Sequence, residues 1–240
     1  MSKTVMRFDD VCFSYPGGRE ALSHVSFEIA EGEKVALVGL NGSGKSTLLL
    51  HADALLMPSS GKVEIDGIAV TDKNAAKSRM AVGMVFQNSD DQLFMPTVEA
   101  DVAFGPRNMG LDNGQIAARV DEALQMTCCS HLRDRQPFRL SGGQKRMVSI
   151  ATVLSMQPRI LVFDEPTSGL DFAARAQFIS IVDRLPHTVF MSSHDMELVN
   201  RLCTRAIVLD RGHVTYDGPV DTLPYPTLTD LNDISYETDS

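Results

Sequence analysis

The sequence predicts an α/β fold with a parallel sheet at its core, an antiparallel β subdomain at the N-terminal side and an inserted α-helical subdomain. Three observations predict it. Gly and Pro divide the chain into short apolar runs of strand length alternating with longer helical patterns, the order expected of a sheet covered by helices. Two alternating apolar–polar segments near the N-terminus supply an antiparallel layer. From Thr97 to Gln157 the periodicity is helical and offers no convincing strand, which reads as an insertion into the sheet domain.

Met6 to Tyr15 and Val25 to Ile29 read as strands by their alternation. Lys34-Val-Ala-Leu-Val38 reads as a buried strand that runs straight into a Gly-rich turn, with helix from about Lys45. Val63-Glu-Ile-Asp-Gly67 looks like a strand and turn, Val82-Gly-Met-Val-Phe86 like another strand, and Ile160-Leu-Val-Phe163 like a buried strand ending in acids. Val189-Phe-Met-Ser192 and Ala206-Ile-Val-Leu209 repeat the pattern. Inside the helical stretch, Ile116, Val120 and Leu124, then Met147, Ile150, Val153 and Leu154, recur at helical spacing.

With 240 residues, 43% of them hydrophobic and 22% charged, the chain can bury a sizeable core without disulfide staples. Cys12, Cys128, Cys129 and Cys203 form no CxxC pair and suit a reducing compartment as small core or surface residues. No apolar run approaches the roughly 18 residues of a spanning helix, and Met1-Ser-Lys-Thr lacks a signal core, so the expected compartment is the cytoplasm. The formal charge is −9, and after Arg211 there is no Lys or Arg while six acids follow. The organisation expected is one domain over 1–218 and a short acidic tail over 219–240. Such a charge balance suits no extended nucleic-acid contact, which needs a basic stripe, although it permits binding a few phosphates at one site.

Gly39, Leu40, Asn41, Gly42, Ser43, Gly44, Lys45 and Ser46 fit the phosphate-loop pattern G-x-x-x-x-G-K-[ST], after a buried strand and before a helix. Glycines let successive backbone N–H groups turn toward a polyphosphate, and the helix N-terminus adds its positive end. Lys45 supplies a charge for the outer phosphates, the Ser46 hydroxyl can ligate Mg²⁺, and Thr47 continues the binding segment. This marks a P-loop NTPase core. The carboxylates such a site needs follow Ile160 to Phe163: Asp164 for the metal and Glu165 to polarise an attacking water. Adjacent acids at a strand end also serve as turn or capping residues, and the phosphate loop favours the functional role.

Leu140-Ser141-Gly142-Gly143-Gln144 separates this chain from other P-loop proteins. With that pentapeptide the sequence resembles an ATP-binding cassette (ABC) ATPase nucleotide-binding domain up to about Gly218. The resemblance implies ATP and Mg²⁺ as ligands, and a nucleotide capped by Ser141, Gly142, Gly143 and Gln144 of a second subunit. Tyr15, in Phe13-Ser-Tyr-Pro-Gly, resembles the aromatic that stacks on adenine. Gln87 resembles the glutamine that touches Mg²⁺ beside Ser46 and Asp164 and signals to the membrane subunit. Ser168-Gly-Leu-Asp171 resembles the loop that crosses the dimer interface, and His194 the histidine that contacts the γ-phosphate beside Glu165. The basic residues Arg133, Arg135, Arg139, Lys145 and Arg146 read as a solvated face of the helical region.

Val85-Phe-Gln-Asn-Ser-Asp-Asp-Gln-Leu-Phe94, then Pro96-Thr-Val-Glu99 and Asp101-Val-Ala-Phe-Gly-Pro106, resemble one subgroup: ATPases of energy-coupling-factor importers and their cobalt and nickel relatives. Departures are Ser89, Phe172 and His51-Ala-Asp53. This resemblance implies an integral membrane coupling subunit and a substrate-specific membrane component as partners, at the cytoplasmic face of the membrane. The ATPase pair is a homodimer or a heterodimer with a paralogue. Leu93 and Phe94 are expected to be exposed as an apolar anchor rimmed by Asp90 and Asp91, the alternative being burial of the pair in the domain's own core. The alternatives are an ATPase of another ABC transporter or a non-transport ABC ATPase; the latter calls for a coiled-coil insertion or two cassettes in one chain, and neither is present in this sequence.

Overall fold

The computed structural model describes residues 3–18 and 20–223; the expected tail from 224 onward lies outside them. The elements run β1 (Thr4–Ser14), β2 (Glu20–Ala30), β3 (Lys34–Val38), α1 (Lys45–Ala52), β4 (Ser60–Ile65), β5 (Ile68–Ala69), α2 (Ala75–Ala81) and β6 (Val82–Val85). They continue with α3 (Val98–Asn108), α4 (Asn113–Met126), α5 (Gly142–Leu154), β7 (Ile160–Phe163), α6 (Phe172–Arg184), β8 (Thr188–Ser192), α7 (Met196–Leu202), β9 (Arg205–Asp210) and β10 (His213–Pro219).

Among the described residues the strands form two sheets. The smaller is β2-β1-β4-β5, antiparallel at every pair. The larger is β10-β9-β3-β8-β7-β6, in which the five strands from β9 to β6 pair in parallel and β10 is antiparallel to β9. The apolar runs of this sheet are continuous because both of its faces are covered. Side chains alternate between two cores: Ala36, Val38, Leu161 and Phe163 pack into one with the helices α3 to α7, and Val35, Leu37, Ile160 and Val162 into the other with the antiparallel sheet and α1.

The stretch between Thr97 and Gln157 holds α3, α4 and α5, and no strand among its residues. Thr97, Asp112 and Ser141 cap these helices through side-chain oxygens, and the last two complete capping boxes with Gln115 and Gln144. Pro106 lies inside α3 and has no N–H to give to the carbonyl four residues back. The Ser155 hydroxyl donates to that Val102 carbonyl at 2.8 Å instead. Elements without a continuous apolar signal escaped the sequence reading: α2 and α7 span seven residues each, and β10 has no buried residue.

Candidate active site

The phosphate loop lies between the buried end of β3 and the start of α1. Its last residue, Gly44, caps α1 at φ 109 without a side-chain bond, and a Cβ there would stand 2.5 Å from the Ala21 carbonyl oxygen. Only glycine fits that conformation in that space. The first N–H groups of α1 are therefore left without a side-chain cap at the base of a cleft of about 420 Å³. Tyr15, Asn41, Gly42, Gly44, Lys45, Ser46, Thr47, Gln87, Glu165 and His194 line it.

Lys45 is buried, and its amine donates to the carbonyls of Gly39 at 2.8 Å and Leu40 at 3.1 Å while standing 3.8 Å from Glu165 Oε1. The other oxygen of Glu165 lies 2.8 Å from His194 Nδ1. A basic amine and an imidazole thus flank one carboxylate at the mouth of the cleft. Glu165 itself adopts φ 42, in the left-handed region that a non-glycine residue enters only when its surroundings hold it there. What holds it is Ser192, at the end of β8. The Ser192 hydroxyl accepts from the Glu165 N–H at 2.8 Å and donates to Asp164 Oδ1 at 2.6 Å. One hydroxyl therefore orients both acids, and the sequence reading took it only for the end of a strand.

Arg146 was expected on a solvated face and is instead 3% exposed. It reaches inward from α5 and donates to the carbonyls of Phe86, at 2.5 Å, and Gln87, and burial lowers its pKa against the favourable charge of Asp164. The segment that carries Gln87 is thereby tied to the helix that begins at Ser141. Lys145, one residue earlier, pairs with Asp90 at 2.6 Å. On the opposite side, Arg175 of α6 grips Asp195 with two bonds of 2.6 and 2.8 Å and holds its carboxyl below the usual range. Asp195 also caps α7, so His194 precedes a fixed corner.

Other residues singled out from the sequence stand apart from the cleft. Asp171 caps α6 by accepting from Ala174 N at 2.8 Å. Ser141 and Gly142 are exposed at the start of α5, with Gly143 and Gln144 half-buried, and none of these five lines the cleft of its own chain. Gly39, Leu40 and Ser43 shape the loop from beneath, and Asp164 is buried behind Glu165. Ser168, at the start of the segment expected to cross a dimer interface, lines the cleft of its own chain, and Glu20 and Ala21, at the start of β2, complete the wall and carried no motif that could have announced them.

A second concavity of about 350 Å³, lined by Met80, Met84, Phe94, Phe104, Met109 and Met156 among others, opens between the large sheet and the helical stretch. The expectation for the Leu93–Phe94 pair divides here. Leu93 is buried in the core, and Phe94 is 62% exposed and meets Phe104 edge to face at 4.9 Å. No helix among the described residues is long and apolar enough to cross a membrane.

The family model described as ABC transporter matches residues 22–168. An ABC transporter ATP-binding protein of Geobacter sulfurreducens is 51% identical over 219 residues, covering 91% of this chain and 88% of that one. The energy-coupling factor transporter ATP-binding protein EcfA of Methanoculleus marisnigri is 44% identical over 216 residues, 88% of this chain and 78% of that one. Among solved structures, cbiO1 of Clostridium perfringens, part of the transporter complex cbiONQ, superposes with a TM-score of 0.84 at 34% identity over 97% of this chain and 100% of that one. The dimeric post-hydrolysis cassette MJ0796, bound to ADP and Pi, gives 0.80 at 29% identity over 90% and 98%. A phosphate loop opening on a carboxylate at the end of β7, in a fold shared with nucleotide-bound cassettes, makes this chain a member of the ABC transporter family, an ATP-binding and ATP-hydrolysing subunit.

Proposed function

We propose that this ATPase powers an energy-coupling-factor type importer of a vitamin or of a transition-metal ion such as cobalt or nickel, working at the cytoplasmic face of the membrane. The likeness to EcfA and to cbiO1 supports the subgroup. The observation that carries the docking part is Phe94. It stands exposed in an apolar groove, on the segment that follows Gln87. Under this reading the groove receives a helix of the integral coupling subunit, which is joined in turn to a substrate-specific membrane component. The nucleotide-binding domain then has its helical subdomain at about 97–157 and extends past the expected limit of 218, because Val220 and Leu223 are buried in its core, so a short acidic tail would begin later than 219.

In the same reading Tyr15 stacks on the adenine, Gly39 to Thr47 cradle the phosphates and Lys45 holds their outer charge. Glu165 accepts a proton from the attacking water, and His194, bonded to the same carboxylate, directs it toward the γ-phosphate. Ser46, Gln87 and Asp164 offer hydroxyl, amide and carboxylate oxygens, hard donors that suit Mg²⁺, and with a single carboxylate they leave room for phosphate oxygens in its shell. The bound ion would neutralise charge on the β- and γ-phosphates. Ser141, Gly142, Gly143, Gln144 and Asp171 act on the nucleotide of a facing subunit, in a head-to-tail sandwich of two copies or of this chain with a paralogue.

The test is Phe94→Asp. The isolated subunit is expected to fold and hydrolyse ATP, yet to pellet poorly with membranes containing its integral partners and to support little substrate uptake. Undiminished membrane recovery and uptake would move the docking surface elsewhere.

A further inference from the structure

A buried histidine stands directly behind the wall of the cleft that holds Tyr15. The Tyr15 hydroxyl shares a 3.0 Å hydrogen bond with Thr47 Oγ1. Thr47 in turn accepts, through its main-chain carbonyl, a bond of 2.8 Å from His51 Nδ1. The His51 ring meets Phe13 edge to face with centroids 4.7 Å apart, and Phe13 meets Tyr15 the same way at 5.0 Å. The four residues close a circuit. Phe13 and Tyr15 come from the end of β1 and the turn after it; Thr47 and His51 are one turn apart on α1.

Within this circuit Tyr15 and Thr47 line the cleft, whereas Phe13 and His51 do not. His51 is fully buried. A carbonyl can only accept, so Nδ1 carries the hydrogen; Nε2 makes no close hydrogen bond, and the ring also approaches the main chain of Met57. Leaving a buried polar atom unpaired is costly, and an aliphatic side chain would fill the same space without that cost. What the imidazole supplies and an aliphatic group cannot is an aromatic face for Phe13 together with a donor for Thr47. Both contacts converge on Tyr15, which is 38% exposed and has no other side-chain hydrogen bond among the described residues.

We infer that His51 is a positioning residue for the nucleobase: through Thr47 and Phe13 it sets the plane of the Tyr15 ring against the purine of ATP, without touching the nucleotide. This rests on the proposed stacking role of Tyr15. It assigns a use to His51, which the resemblance to the subgroup left without one.

The full-length subunit tests this with two probes, ATP and inorganic tripolyphosphate, the second of which engages the phosphate loop and no base platform. Tyr15→Ala is the reference and is expected to weaken ATP binding about ten- to hundredfold with tripolyphosphate unchanged. His51→Phe keeps a ring and loses the donor; His51→Asn keeps a donor and loses the ring. Each should weaken ATP about two- to tenfold, raise KM while leaving kcat at saturation near the parental value, and spare tripolyphosphate. His51→Leu, which loses both contacts, should cost more than either. Phe13→Leu, at a half-buried position outside the cleft, reads the same link if the His51 variants fail to fold. Equal loss of ATP and tripolyphosphate binding would show that His51 merely supports α1 and overturn the inference. So would unchanged ATP affinity in the His51 and Phe13 variants while Tyr15→Ala weakens it. If Tyr15→Ala itself leaves ATP affinity intact, the platform reading fails first and His51 loses its role with it.

Discussion

Glu165 sits in a left-handed backbone state that costs a non-glycine residue on the order of 1 kcal/mol, and the bond to Ser192 holds it there with its carboxylate between Lys45 and His194. Glu165→Gln keeps the shape and removes the base. Hydrolysis is expected to fall roughly 10²–10⁴-fold while ATP binding persists, measured as steady-state turnover beside equilibrium binding. A different carboxyl carries a cost of its own. Asp53, at the end of α1, is pushed from 3.8 up to about 8 by burial, against the pull of Arg79. Below pH about 4 it is neutral in folded and unfolded chains alike. Between there and about 8 the unfolded chain releases the proton and the folded chain retains it, so stability falls as pH rises and the full cost is present above 8. Asp53→Asn should remove this slope, stabilising the subunit more at pH 8 than at pH 5 in urea unfolding; parallel pH profiles for the two proteins would contradict it. At this scale the phosphate loop and the acid pair were legible in the sequence because their chemistry fixes their spacing. Ser192 and Arg146 were not, since each acts on residues distant in the chain and carries no local pattern.

Among the elements, α5 joins the most parts of the site. It begins at Ser141, and two of its basic residues tie it to the segment after β6, Arg146 from within and Lys145 at the surface. Replacing Arg146 by Ala would remove the donor that the carbonyls of Phe86 and Gln87 share and leave space where the buried guanidinium stood, a loss of about 2 kcal/mol. Lys in its place should recover only part, because a single ammonium lacks the fork that reaches two carbonyls. Chemical denaturation of the two variants would measure this, and a loss under 1 kcal/mol for Ala would mean that the buried guanidinium is not what joins them. The strands of the parallel sheet were legible as apolar runs because both faces are covered. The limits of β1 shifted from Met6–Tyr15 to Thr4–Ser14, since pairing with β2 and β4 decides where a strand ends. The helix α6 buries Phe178, Ile179, Ile181 and Val182 in its C-terminal half after a mixed first half, so its period is short.

For the molecule as a whole, the residues expected to bind one nucleotide fall into two sets that face different ways. Tyr15, Lys45, Gln87, Glu165 and His194 share one cleft, and Ser141 to Gln144 with Asp171 lie outside it. The family resemblance assigned Ser141 to Gln144 to a second subunit's nucleotide; the residues by themselves could not say that the two sets are apart, because distance across a fold is absent from local patterns. If sites are shared between subunits, mixing a Lys45→Ala chain with a Ser141→Arg chain regenerates one working site per mixed dimer, read as ATPase activity exceeding that of either alone. No recovery at any ratio would speak against shared sites. The order of strands in the large sheet also governs how the chain is made. β3, which carries the phosphate loop, hydrogen-bonds only to β8 and β9, near the far end of the described residues. A growing chain exposes residues 34–38 early and must then be extended through Asp210 before both edges of that strand are paired, on the order of ten seconds at ordinary synthesis rates. The small sheet needs nothing beyond Ala69 and can close first. ATP is therefore expected to find no seat on a nascent chain until β8 and β9 have emerged, and a product cut short before Arg205 should fail to retain nucleotide in equilibrium binding.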